Sequence, residues 1–418
     1  MRKRPWLLVL GVTLLFFFIC CYTSCFVKKV NSLKEKESLS GISEKDPLSL
    51  KNESPYEDQA LDYPVVEMEM TQNRSIVVAA VGDIMVHSTQ LTSAFNESEG
   101  QYNFKDCFSH VAPYLQKADF VTGNLETTFG TTESGYSGYP FFNSPPELAD
   151  ALRDSGFDLL FTANNHSMDS GEEGVLNTIK LIEEKGLNCT GTARSEEERK
   201  KGFLLYQNDI KAVFFAYTYG TNGIPLPSGK EYMVPLIEKQ LIGEDITRAK
   251  NELQADIVII GLHWGDEYQR LPSTYQKELA MELVDMGADI IIGTHPHVIQ
   301  PAEVVKTEKR EGLVLYSLGN FISNQRWRYA DAGIIVYLKI ELNNSDLKSP
   351  KVTILKAVPT WVHRYLQGNK WKYTVLPVQA VLEAENPRES YHLSEQDYRR
   401  LQEVLRETRE IFWRLWYY

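Results

Sequence analysis

The chain has 418 residues, is 43% hydrophobic and 24% charged, and carries a formal net charge of −12, the profile of a globular protein with ample material for a core. Residues 1–30 carry +5 (Arg2, Lys3, Arg4, Lys28, Lys29), which leaves −17 on residues 31–418. A body this acidic lacks the basic footprint of a nucleic-acid binder and repels polyanions over most of its surface, so an anionic substrate needs a local capture site such as bound metal ions.

The first element in chain order is apolar. After the basic Met1–Arg4, Pro5–Val27 runs 23 residues without a charge, and about 20 residues span a bilayer core. Its end, Tyr22-Thr23-Ser24-Cys25-Phe26, matches neither a small-x-small signal cleavage site nor a lipoprotein box. Residues 1–28 are therefore expected to form a single-pass anchor in the cell membrane, with the bulk of the chain extracytoplasmic. Residues 29–73, rich in Lys, Glu and Ser, read as a flexible stalk. The main domain is placed at 74–345, with a C-terminal strand and helix extension at 346–418 packing on it. Three of the five cysteines lie in the apolar segment. The other two, Cys107 and Cys189, show no CxxC spacing and suit two buried thiols better than a bridge.

From Arg74 onward one pattern recurs, a short β-branched or aromatic run followed by a polar turn carrying His, Asn or an acid. Ser75–Val81 leads into Gly82-Asp83 and His87. Ala118-Asp119-Phe120-Val121 leads into Gly123-Asn124-Leu125-Glu126. Phe157–Phe161 leads into Asn164-Asn165-His166 and Asp169. Ala255–Ile260 leads into His263-Trp264-Gly265, Ala288–Ile292 into Thr294-His295-Pro296-His297, and Leu313–Tyr316 into Gly319-Asn320-Phe321. Helical spacing over Pro146–Asp154, Glu172–Glu184 and Thr274–Met286 fits helices between the strands. Ser394 with Asp397 three residues on opens a further helix, and the Gly- and Pro-bearing Gly220–Tyr232 reads as a loop near the site. Short buried strands alternating with helices argue for an α/β fold, in which ligands collect beyond the carboxyl ends of the strands. The polar turns are thus expected to converge in space. Five of the eight histidines (His87, His166, His263, His295, His297) lie in them.

Neutral imidazoles with carboxylates and amide carbonyls form the donor set of Mn, Fe, Zn and similar ions. Each turn alone has a structural reading: Asp83 as a turn or capping residue, Asn124 and Glu126 as capping polars, His263 as a core histidine beside Trp264. Their shared topological position, and the two histidines flanking Pro296, favour one metal cluster.

Taken together and in this order, the six motifs resemble the CapA family, implicated in synthesis or surface export of poly-γ-glutamate capsule and itself similar to the calcineurin-like metallophosphatases. The match runs from Ile76 to Tyr337. The resemblance implies a two-sheet sandwich flanked by helices, holding one or two divalent ions. It assigns Asp83 and His297 to one metal and Asn165, His263 and His295 to the other, with Glu126 at the bridging position. It makes His166, with Asp169, the catalytic pair that handles the leaving group. Two departures stand out: Met85 occupies the place of a phosphatase histidine, which makes His87 the candidate replacement ligand, and Asn124-Leu125-Glu126 replaces an Asp-Asn motif. Asn124, Glu267, Asn320 and Arg326 are candidate substrate contacts, the arginine as a partner for carboxylates. The implied function is a metal-dependent hydrolase or transferase in biosynthesis or export of an anionic surface polymer, working beside membrane-bound synthase subunits. A phosphoesterase and a non-catalytic scaffold are the alternatives.

Overall fold

The structure, a computed structural model, describes residues 74–131, 133, 135–342 and 350–415; the expected anchor (1–28) and stalk (29–73) lie outside the described residues. The chain begins with β1 (Arg74–Ile84), passes a small hairpin of β2 (Phe95–Asn96) and β3 (Gln101–Tyr102), and continues through β4 (Phe120–Leu125), β5 (Leu159–Phe161) and β6 (Asn188–Thr190). A second run comprises β7 (Phe203–Gln207), β8 (Ile210–Thr218), β9 (Ile257–His263), β10 (Ile290–Thr294), β11 (Ala302–Lys306) and β12 (Glu311–Leu315). The last strands are β13 (Asn320–Ile322), β14 (Ala332–Leu342), β15 (Lys351–Gln367) and β16 (Lys370–Pro377).

These strands build two large sheets. The first has the order β16-β15-β14-β1-β4-β5-β6, with β13 beside β1; the second has the order β11-β12-β10-β9-β8-β7. β1, β4, β5, β6 and β13 run parallel in the first sheet, and β8, β9, β10 and β12 in the second. β14, β15 and β16 extend the first sheet antiparallel, so the C-terminal segment is continuous with the main sheet.

The sequence pattern explains the layering. β9 and β10 read as unbroken apolar runs because both of their faces are covered. Ile257, Ile259, Ile290 and Ile292 face Ile76, Val78, Val336 and Leu338 of the other sheet. Val258, Ile260 and Ile291 face outward onto Ile242, Ile246, Leu279 and Leu283 of two helices. On the far side, Ala79, Val81, Val121 and Leu160 meet Leu148, Leu152 and Ile182. The result is a mixed α/β fold with two facing sheets and a helical layer on each outer face.

The helices at Glu147–Ser155, Gly171–Glu184 and Thr274–Met286 stand where the periodicity predicts them. The C-terminal helix, Glu395–Phe412, starts in a capping box: Ser394 Oγ accepts from the Asp397 amide at 3.1 Å, and the Ser394 amide donates to Asp397 Oδ2 at 2.9 Å. Its last turn puts Ile411 and Phe412 into the core between the sheets. Cys107 and Cys189 are both free thiols. Among the described residues no helix is long and apolar enough to cross a membrane.

Candidate metal centre

The parallel strands of the two sheets end at one edge, and their registers bring the polar turns together. Asp83, near the end of β1, is level with Asn124 of β4 and Asn320 of β13. Gly82 makes this approach feasible: a Cβ there would stand 1.8 Å from the Gly319 carbonyl oxygen, to which the Asp83 amide donates at 2.9 Å. Glu126 directly follows β4 and is fixed beside Asp83 by its amide, which donates to Ile84 O at 3.0 Å. The turn after β5 is tied down by Asn164, whose Nδ2 donates to Leu125 O at 2.7 Å and Asn124 Oδ1 at 3.2 Å. His263 ends β9 level with Thr294 of β10.

The turn after β10 is strained. His295 and His297 have φ of +96° and +56°, in the left-handed region that costs a non-glycine residue about 1–3 kcal/mol. The turn is held by the Tyr268 amide, which donates to Pro296 O at 2.8 Å. Strain of this kind persists where side-chain placement matters more than local backbone preference.

Asp83, Glu126 and His297 offer three ligand atoms within 4.8 Å of one another, and so do Glu126, His263 and His295. Glu126 belongs to both groups. A third group joins Glu267, at the half-exposed rim, to His295 and His297. Asn165 adjoins the second group, its Oδ1 2.8 Å from His263 Nε2.

Neighbouring side chains orient the ring of His297. Its Nδ1 lies 3.1 Å from Asp83 Oδ2 and 3.1 Å from Asn320 Oδ1. Asn320 Nδ2 donates to Gln325 Oε1 and Ala330 O, which fixes its amide with the carbonyl toward the ring. Both neighbours of Nδ1 are acceptors, so Nδ1 donates and Nε2 is the nitrogen left to face a metal, the arrangement of a metal-binding imidazole. Nε2 faces Glu126 Oε1 at 3.8 Å.

The electrostatics point the same way. Glu126 is fully buried, and neither of its oxygens has a hydrogen-bond partner. Burial, and then the Asp83 carboxylate, push its pKa well above the ordinary carboxylate value. Burial holds His263 well below 6.5 and His295 at about 3, and His295 Nδ1 is also buried without a partner. A buried carboxylate with no donor is costly. Around it stand neutral imidazoles, a second carboxylate and an amide carbonyl, which are lone-pair donors. A divalent cation satisfies all of them, so the residues fit the group that the donor set implies.

His166 and Asp169 form a pair beside this cluster. His166 Nδ1 is 2.7 Å from Asp169 Oδ2, which also accepts from the Phe142 amide at 2.6 Å. The Phe142 ring meets the imidazole edge-on at 4.7 Å.

The family model described as "Bacterial capsule synthesis protein PGA_cap" matches residues 77–325. The chain belongs to this PGA_cap family. It is 31% identical over 315 residues to the capsule biosynthesis protein CapA of Bacillus anthracis, covering 73% of this chain and 74% of that protein. It is also 31% identical over 300 residues to the PGA biosynthesis protein CapA of Bacillus subtilis (strain 168), covering 68% and 73%. Among solved structures, the calcineurin-like phosphoesterase YfkN from Bacillus subtilis aligns at a TM-score of 0.41 and 16% identity, over 79% of this chain and 99% of that one.

In this PGA_cap chain the structure brings together Asp83, Glu126, Asn165, His166, Asp169, His263, His295 and His297, with Glu267 at the rim. Four sequence-predicted residues take other places. His87, expected as a ligand, is absent from the ligand groups among the described residues. Its Nδ1 accepts from the Asn324 amide at 3.2 Å, and it caps the helix Ser88–Ala94. Asn124 and Asn320, expected to touch substrate, are buried and hold other members of the site instead: Asn124 Nδ2 donates to Asp83 Oδ1 at 2.8 Å, and Asn320 positions His297. Arg326 turns toward Val362 O, to which Nη1 donates at 2.7 Å, under the C-terminal helix. Tyr219 and Asn222 join the site as well, Asn222 within the loop Gly220–Tyr232 expected near it and Tyr219 just before that loop. The Tyr219 ring lies 4.5 Å from that of His295, and Asn222 Oδ1 accepts from Asn165 Nδ2 at 3.2 Å. One signal was available: Tyr219 follows β8, whose carboxyl end joins the same edge.

Proposed function

We propose that this PGA_cap protein is a metal-dependent hydrolase or transferase that cleaves or attaches a γ-linked glutamate chain outside the cell, held to the membrane by residues 1–28 and working beside a membrane-bound polymer synthase. The observation that carries metal dependence is Glu126: a buried carboxylate, bare of donors, shared by two groups of three ligand atoms. The printed names of the relatives support the polymer.

Asp83, Glu126 and His297 would hold one ion, and Glu126, His263, His295 and Asn165 a second. Bound there, divalent ions supply Lewis-acid polarisation of a substrate carbonyl and activation of water. The protein's own residues do the rest. Asp169 accepts from His166 Nδ1, which fixes the tautomer and ring orientation and leaves the Nε2 lone pair to take the proton released by the attacking nucleophile and return it to the leaving nitrogen. Asn320 and Asp83 together fix His297, and Asn124 fixes Asp83. Glu267, alone of the acids here at the rim, meets incoming substrate.

A phosphoesterase is the second reading. It is favoured by the sharing of Glu126 between two ligand groups, an arrangement that also suits an oxyanion clamped between two ions. The test is to incubate the metal-loaded full chain with γ-linked glutamate oligomers and with phosphate esters, and to follow oligomer length and phosphate release. Changed oligomer length, lost in His166→Gln, supports the proposal. Phosphate release alone moves the assignment to a phosphoesterase, and inertness toward both moves it to a scaffold.

A further inference from the structure

A cavity of about 380 Å³ lies against the first turns of the C-terminal helix, outside the metal centre. Four arginines line it, Arg326, Arg328, Arg399 and Arg400, together with Trp361 and three acids. Three of the arginines are already matched. Arg400 donates to Asp331 at 2.8 Å and to Glu407 at 2.9 Å. Arg328 pairs with Glu407, and Arg399 pairs with Glu395 at 3.2 Å. Asp397, one of the acids, is engaged in capping its own helix.

Arg326 is different. Among the described residues its one hydrogen bond is to the Val362 carbonyl, and it has no ion pair. Its guanidinium sits 5.9 Å from the centre of the Trp361 ring. A guanidinium has five N–H donors, so most of this one's capacity is unused. Burial pulls its pKa below the ordinary arginine value, with the Asp331 carboxylate of the same cavity acting in the opposite direction without pairing with it. An anion entering the cavity would find these unused donors facing it.

We propose that this cavity is a carboxylate-binding subsite for an acidic polymer chain, with Arg326 as its anchor. The identity of that chain as γ-linked glutamate rests on the functional reading above; the subsite itself rests on the unmatched arginine and the cavity. In a chain carrying −17 over residues 31–418, an acidic polymer needs such a local positive station. The subsite is linked to the metal centre through the chain itself. Gln325, next to Arg326, accepts from Asn320 at 2.9 Å and donates to the Tyr268 hydroxyl at 3.3 Å, and both of those residues touch His297.

The test is isothermal titration of the metal-loaded full chain with a short γ-linked glutamate oligomer, comparing wild type with Arg326→Gln, which keeps a donor for Val362. Binding weaker by roughly tenfold or more, at unchanged metal content and unfolding temperature, supports the subsite. Equal binding overturns it while leaving the polymer reading intact. Arg326-dependent binding of an α-linked glutamate oligomer but not of the γ-linked one supports the subsite and contradicts the γ-glutamyl reading. No binding of either oligomer by wild type overturns the subsite. If Arg326→Gln does not fold, Arg326→Lys decides: weaker binding at an unchanged unfolding temperature supports the anchor, since a lysine cannot reproduce the fork, and unchanged binding overturns it.

Discussion

Replacing Glu126 by glutamine tests the metal centre without perturbing its shape. Glu126 has no exposed surface and no donor to either oxygen, and it stands beside Asp83. An unsatisfied buried polar group costs about 1–3 kcal/mol. Glutamine stays polar but removes the like charge beside Asp83 and brings an N–H that can donate to it, so the chelator-treated variant is expected to gain up to that amount. The described residues number roughly 330. At an unfolding entropy of about 2.1 cal/mol/K per residue, the gain raises Tm by ~1–4 °C. Metal at about a thousand times its Kd adds ~4 kcal/mol to wild type, or about 6 °C on the same scale. Glu126→Gln should lose this increment, because both ligand groups lose their shared carboxylate. Calorimetry with chelator and then with Mn or Zn reads both effects. A variant less stable than wild type under chelator, or one that keeps the metal increment, refutes the reasoning.

Asp169→Asn is expected to lower kcat by about 10²–10⁴ with metal content unchanged, since it disturbs the acceptor that orients His166; steady-state kinetics beside metal analysis check it. Gly82→Ala places a Cβ 1.8 Å from the Gly319 oxygen and is expected to cost about 3 kcal/mol or more in urea unfolding. The metal-free protein should also lose stability in acid. Burial lowers His87 and His363 to about 4 and His295 to about 3, so as pH falls through 6.5 the unfolded chain takes up protons that the fold refuses. The histidine contribution is complete above 6.5 and falls by ~1.4 kcal/mol per pH unit per histidine down to about pH 4. Glu126, raised by burial, opposes this decline above about pH 4.5, so Glu126→Gln should steepen it there. Urea titrations from pH 7 to 4.5 in chelator measure both slopes, and a flat profile contradicts the burial argument.

The parts of the site that were legible in the sequence depend on strand direction. Asp83, Glu126, His263 and His295 lie at or just past the carboxyl ends of parallel strands, and parallel strands send their carboxyl ends to one edge. The strand-then-turn pattern was therefore enough to gather them. Side-chain partnership was not legible, because it depends on registers between strands far apart in sequence. Asn124 and Asn320 sit in the same turns as the ligands, yet the pairing of β1 with both β4 and β13 buries them against Asp83 and His297. His87 lies four residues after Asp83, but a helix starts there: its amide donates to Gln90 Oε1 at the helix start, and its ring accepts from the Asn324 amide. Arg326 follows the Asn320 turn closely, but the β14–β15 pairing and the C-terminal helix draw it to Val362. Tyr219 went unseen because it carries no ligand atom of the expected kind, although β8 delivers it to the same edge.

The claim on which the account turns is that Glu126 and its neighbours hold divalent metal. The most direct measurement is the metal content of the purified full chain by elemental analysis, beside a His295→Ala/His297→Ala double variant. The account predicts one or two equivalents of transition metal in wild type, lost in a variant that remains folded. A well-folded wild type that holds no metal, even after reconstitution, would contradict it.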